Sequence, residues 1–234
     1  VVVAKQNAPE TERVIEKTAL RSKAPLFRYG QDFHIQEEAG RLIYQDEKGL
    51  LDLPVPRIVG DHQKINAGTA IAALRIAGFD LTESRIFEQG IVSATWPARL
   101  QNLSRGKLAK QLPKASELWL DGGHNRDGAR VLAEALTARN QHQKHPLILI
   151  AGLLSSKDSQ GFLDEFRMLA PHVIAVPIPD HAASRPANEV AAHARMAGLV
   201  AEQARDVEEA LQTIASRTWT CLLYTSPSPR DQRG

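Results

Sequence analysis

Only one cysteine, Cys221, stands among 234 residues, so no internal disulfide can form and a reducing cytoplasm is the expected setting. A dominant charge sign is also lacking. There are 29 Lys and Arg against 27 Asp and Glu, a formal net charge of +2, which gives no reason to expect nucleic acid or an anionic membrane as partner. The longest apolar run, 147–154, falls far short of the ~20 residues a membrane-crossing helix needs. The eight histidines show neither HxH nor HxxxH spacing, and one cysteine makes no metal cluster. Neither GxSxG nor GxxxxGK[ST] occurs, so the chain as given carries no hydrolase elbow and no phosphate loop.

What is present is ordinary for a globular protein: 43% hydrophobic and 24% charged residues, enough to bury a core. Val1-Val2-Val3 has no initiator Met and reads as the end of a buried strand, so the chain is expected to begin inside a domain. Helical spacing covers 10–22 and stops before Pro25. Short β-rich runs at 26–29, 33–36, 41–45 and 49–53 then predict antiparallel hairpins. A helix is expected over 61–77, capped by Asp61 and closed at Gly78, and a shorter one over 82–89. From Gly90 to Pro97 the pattern is irregular and reads as a linker. Beyond it, strands at 117–120, 147–151 and 173–176 alternate with helices at 125–139, 162–169, 188–197 and 207–216. Apolar strands alternating with amphipathic helices predict α/β architecture, a mostly parallel sheet covered on both faces. Residues 221–234, CLLYTSPSPRDQRG, have no periodicity; they read as a disordered terminus or as translated adapter or vector sequence, and are set outside the fold.

Three segments carry candidate chemistry. In L-W-L-D-G-G-H-N at 118–125 an apolar strand ends in Asp121, turns through two glycines and opens a helix with His124 and Asn125. At the carboxyl edge of a parallel sheet this places Asp121 to accept from ribose hydroxyls and His124 in the same crevice. The same residue types also suit a plain βα turn with Asn125 as helix cap, and spacing alone does not separate the two. In G-D-H-Q-K-I-N at 60–66, Asn66 has the donor and acceptor an adenine edge requires, although taken alone a polar helix start capped by Asp61 explains it more readily. In T-W-P-A-R-L-Q at 95–101, Arg99 follows the linker and is suited to phosphate, or is a surface arginine beside a Trp. Lys157, Asp158, Ser184 and Arg185 lie in loops after strands, the substrate edge of such a sheet.

Order and spacing together are more specific than any one segment. GDHQKINAGTAIAAL resembles the G-x-H-Q-x-x-N-A-x-x-A segment of the folylpolyglutamate synthase/dihydrofolate synthase family. WPARLQ resembles its W-x-G-R-[LF]-[EQ] element, LDGGHNRDGA its D-G-A-H-N-P-x-[GA] motif, and GLLSSKD its G-x-x-x-x-K-D strand-loop. Ala98, Gly123 and Arg126 stand where that pattern usually has Gly, Ala and Pro. The family belongs to the Mur-ligase superfamily, and the resemblance implies a Rossmann-like C-terminal domain preceded by the last part of an α/β P-loop ATPase domain. The expected division is 1–90 for the remnant ATPase domain, 91–98 for the linker, 99–220 for the ligase domain and 221–234 for a non-native tail.

The implied reaction is ATP-dependent amide ligation. A pterin carboxylate takes the γ-phosphoryl group, and the amine of L-glutamate displaces phosphate from the acyl phosphate. By motif Asn66 would contact adenine, Arg99 the phosphates and Asp121 the ribose. His124 would act near the reacting groups, with Lys157, Asp158, Ser184 and Arg185 toward substrate. Mg²⁺ is implied, with ligands upstream of Val1, as is dihydropteroate or folate as acceptor. The chain is expected to be a monomer and an inactive fragment. The competing expectations are a non-catalytic nucleotide-binding module and another Mur-type amino-acid ligase.

Overall fold

The structure, a computed structural model, describes residues 1–6, 8–79, 84–103, 106–114, 116–140, 147–169, 172–217 and 222–226. It divides into two compact units, Val1–Thr95 and Trp96–Gly234.

In the first unit β1 (Val2–Val3) leads to α1 (Pro9–Arg21), which opens on a proline with Glu10 and Glu12 in its first turn and closes with Arg21, as the helix dipole favours. β2 (Phe27–Arg28) returns beside β1 in parallel register. The expectation of hairpins throughout 26–53 is corrected there, because β2 hydrogen-bonds to the carbonyls of Val1 and Val3 rather than to β3. The antiparallel meander does form, from β3 (Phe33–Glu38), β4 (Arg41–Asp46) and β5 (Gly49–Pro54). Its inward residues Phe33, Ile35, Leu42, Tyr44 and Leu53 form one core with Ile71 and Ala72 of α2 (Asp61–Ile76) and Phe87 and Ile91 of α3 (Ser84–Ser93). α3 runs through Gly90, so residues 90–93 are helix rather than linker; burial of Phe87 and Ile91 outweighs the ~1 kcal/mol a mid-helix glycine costs. Residues 82 and 83 of the expected helix lie outside the described residues.

The N-cap of α2 is Gly60, not Asp61. Its φ is +118°, and a Cβ there would lie 2.5 Å from Cε1 of His62, so only glycine fits the entry. Asp61 sits in the first turn and pairs with Lys64 at 2.6 Å. At the far end of α2, Arg75 donates to Oδ1 of Asp46 at 2.8 Å, and the Tyr44 hydroxyl donates to Oδ2 at 2.9 Å. Burial, then the hydrogen bond and charge of Asp46, push the Tyr44 phenol well above its ordinary value.

The second unit is a six-stranded sheet in the order β10-β9-β8-β11-β7-β6. Along the chain it comprises β6 (Gln101–Asn102), β7 (Leu118–Leu120), α4 (Arg126–Asn140), β8 (Leu147–Ala151), α5 (Ser159–Asp164), β9 (His172–Ala175), α6 (Ala187–Met196), β10 (Val200–Gln203), α7 (Val207–Ser216) and β11 (Leu222–Ser226). All neighbours are parallel except β6, which runs antiparallel to β7. β8 is buried along its whole length, as a central strand covered on both faces must be. Its Leu147, Leu149 and Ala151 face a core with Leu132 and Leu136 of α4, Phe162 and Phe166, and Val190 and Ala194 of α6. Ile148 and Ile150 face the other side, with Leu118, Ile174 and Leu211 and Ile214 of α7.

Besides the two-residue β6, which no pattern predicts, three elements differ from expectation. α5 is Ser159–Asp164 rather than 162–169, because Asp158 caps it by accepting from Gly161 N–H at 2.9 Å. β10 carries no apolar signal, since an edge strand with Val200 exposed needs none. Leu222–Ser226, set outside the fold on composition, is a strand paired to both β7 and β8; it fills the slot between them. Cys221 and residues 227–234 lie outside the described residues.

Glu202 on β10 ties this sheet to the end of α7. It accepts both guanidinium nitrogens of Arg217, at 2.7 and 2.9 Å, and pairs with Nε2 of His172 at 2.9 Å. Burial alone would raise its carboxyl, but the hydrogen bonds from Arg217 and His172 outweigh burial and hold it below the ordinary range. A depressed folded value adds stability above the unfolded value, about 4.3, and loses it as pH falls through the folded value. Thermal melts between pH 7 and 3 should therefore decline less steeply for Glu202→Gln than for the parent chain; identical slopes would remove this role.

Candidate functional site

Arg99, Asp121 and His124 are brought together at the end of β7. Asp121 follows the strand directly, and its carboxylate is fixed by two backbone donors: Oδ1 accepts from Gly123 N–H at 2.7 Å and Oδ2 from Leu100 N–H at 2.8 Å. Each oxygen keeps a second lone-pair position. Gly122 N–H donates to the Ala98 carbonyl at 2.9 Å, so the βα turn and the Arg99 turn are stitched side by side. Ala98 and Leu100, at 2% and 7% exposure, anchor that turn inward, while Arg99 is half-buried and makes no hydrogen bond or ion pair to a described residue.

His124 is half-buried, with Nδ1 3.0 Å from the Gly122 carbonyl. A carbonyl only accepts, so Nδ1 carries the hydrogen, and in the neutral ring Nε2 bears the lone pair. Asn125 is the helix cap: its Oδ1 accepts from Gly128 N–H at 2.8 Å.

The other candidates occupy the same carboxyl edge after β8 and β9, but most are engaged in holding loops. Asp158 is the cap of α5. Ser184 accepts from Ile178 N–H at 2.8 Å. Arg185 donates to the carbonyls of Ser155 at 2.7 Å and Lys157 at 3.3 Å and to Glu189 at 3.1 Å, clamping the loop that follows β8. Lys157 is half-buried and its ammonium has no described partner. Asn66 is exposed on α2, in the first unit, and donates to Gln63 Oε1 at 3.1 Å. Gln63 in turn meets Nε2 of His62 at 2.7 Å. A cleft of about 470 Å³ in the first unit is bordered by His34, Tyr44, Asp46, Lys48 and Arg75 and includes none of the candidate site residues. Among the described residues no group of three or more His, Cys, Asp or Glu could hold a metal ion, and no helix is long and apolar enough to cross a membrane.

Sequence reading quotes Gln101 as the end of the WPARLQ element and gives it no role. Its Oε1 accepts from Ala98 N–H at 3.1 Å, a local side-chain-to-backbone contact that no hydrophobic pattern signals.

A mostly parallel sheet with an Asp-Gly-Gly-His-Asn turn at its carboxyl edge and an arginine turn stitched beside it defines an α/β domain with its candidate ligand site at the carboxyl ends of the strands. No protein-family model matches the chain. It is 30% identical over 188 residues to the folylpolyglutamate synthase of Lacticaseibacillus casei, covering 76% of this chain and 41% of that protein. The structure of E. coli FolC in complex with DHPP and ADP aligns with a TM-score of 0.77 at 22% identity, covering 96% of this chain and 49% of that one. A bifunctional folylpolyglutamate synthase/dihydrofolate synthase with Mn, AMPPNP and L-glutamate bound aligns at 0.74 and 24% identity, covering 96% and 49%. Sequence and fold resemblance both point to the folylpolyglutamate synthase/dihydrofolate synthase family. It spans about half the length of the proteins it matches.

Proposed function

We propose that this chain supplies part of the active site of a cytoplasmic, ATP-dependent ligase that adds L-glutamate to dihydropteroate or (tetrahydro)folate through an acyl phosphate. The observation that carries the reading is the Arg99 guanidinium, without a described partner, on a turn stitched to the Asp121–His124 turn. A half-buried cation with no partner among the described residues suits phosphoryl oxygens, whose charge grows during transfer. Asp121 retains lone pairs for ribose hydroxyls, and Asn66 has an amide for an adenine edge. His124 Nε2 would accept a hydrogen bond or proton from an incoming amine. Mg²⁺ is assigned to the ligase as a whole; the described residues of this chain offer no cluster for it. The relatives' names, and the nucleotide, manganese and glutamate bound in one of the matched structures, support the same reading.

The test joins this chain to the part of the Lacticaseibacillus casei relative that it does not span. Phosphate release from ATP is expected to require both the pterin acceptor and L-glutamate. Nucleotide binding without substrate-dependent release, in a folded chimaera, would favour a non-catalytic module instead. The 234-residue chain alone, which contains no phosphate loop, is expected to give no turnover.

A further inference from the structure

Arg99 sits between two residues in the left-handed region, Ala98 at φ +55° and Leu100 at φ +41°. Neither type favours that conformation, and two such residues flanking one side chain persist only where their surroundings over-determine them. Three hydrogen bonds do so. Asp121 Oδ2 accepts from Leu100 N–H at 2.8 Å, the Ala98 carbonyl accepts from Gly122 N–H at 2.9 Å, and Gln101 Oε1 accepts from Ala98 N–H at 3.1 Å. The first two also shape the βα turn. The third acts on the Arg99 turn alone, and it comes from an exposed side chain.

We propose that Gln101 is a positioning residue for Arg99. By holding the Ala98 N–H it locks the turn so that the guanidinium is presented for phosphate oxygens before a ligand arrives, which removes an ordering cost from binding. The proposal rests on the reading that Arg99 meets phosphate. What the turn needs from position 101 is an acceptor oxygen. Gln101→Glu keeps one, and Gln101→Met keeps the length but loses it.

The experiment uses the 234-residue chain, ¹⁵N-labelled and titrated with ATP and, separately, adenosine. Arg99→Ala should abolish most of the preference for ATP over adenosine, by about tenfold for one charge-assisted contact. Gln101→Met should lose most of that preference while leaving adenosine affinity and the melting midpoint unchanged, and Gln101→Glu should retain it within about twofold. If Gln101→Met binds ATP like the parent chain, or Gln101→Glu fails with it, the positioning role is wrong. If Arg99→Ala leaves the preference intact, the phosphate reading itself is wrong. The positioning role is then judged on the turn: Leu100 amide exchange should quicken in Gln101→Met and not in Gln101→Glu, and equal rates in all three chains would overturn it.

Discussion

Replacing Arg99 by Ala is expected to cost the joined enzyme about 10²–10³ in kcat, with much less change in the KM for glutamate. The reasoning is electrostatic. Negative charge spreads over the transferring phosphoryl group in the transition state, and a guanidinium fixed beforehand stabilises it without reorganising. Arg99 has the two properties that argument needs: it is half-buried, so water screens it less, and no described acidic partner neutralises it. Lysine at the same place should recover only part of the loss, because a point charge does not reproduce the planar fork. Arg41→Ala is the control. Arg41 is exposed and paired with Asp52 at 2.8 Å in the other unit, and its loss should leave turnover within about twofold. If Arg99→Ala and Arg41→Ala behave alike, Arg99 has no part in the chemistry.

Much of this arrangement is legible in the residues because it is local. Asp121, His124 and Asn125 follow one another across a strand, a turn and a cap, and each of those has a known residue preference. The meander at β3–β5 is legible for the same reason, with period-two burial of Phe33 and Ile35 and of Leu42 and Tyr44. What escapes is decided at a distance or by the backbone. Arg185 looks like a substrate ligand until its guanidinium is found clamping carbonyls of Ser155 and Lys157, some thirty positions away (|i−j| of 30 and 28). Ala98 looks like an innocuous replacement for glycine until its φ of +55° shows why glycine would suit the place. Leu222–Ser226 is recognisable only through its partners, because the strands it pairs with, β7 and β8, lie far back along the chain.

The largest stability effect is expected from Asp46→Ala, about 3–5 kcal/mol in the first unit. Asp46 and Arg75 have side chains only 10% and 11% exposed, so solvent screens their interaction little. The same carboxylate also accepts from the Tyr44 hydroxyl at 2.9 Å and the Lys48 N–H at 2.9 Å. Truncation therefore strands two buried donors, the Tyr44 hydroxyl and the Arg75 guanidinium, and the second is a charge whose Nε already lacks a described partner. With domains stable by about 5–15 kcal/mol in total, that loss is a large share. Amide exchange across β3–β5 reads it selectively, since the residues at 1–95 include no tryptophan. Charge pairing is separable from packing: Asp46→Leu with Arg75→Met should recover much of the loss, as apolar replacements of buried pairs do. The pH dependence has a definite sign. The folded Tyr44 phenol titrates above its unfolded value of about 10, so its contribution is whole below pH 10 and fades as pH rises further. Asp46→Ala removes two of the causes that raise it and should flatten that alkaline limb. A variant that exchanges and titrates like the parent chain would mean that the meander and α2 are held by the Phe33, Leu42 and Ile71 core alone.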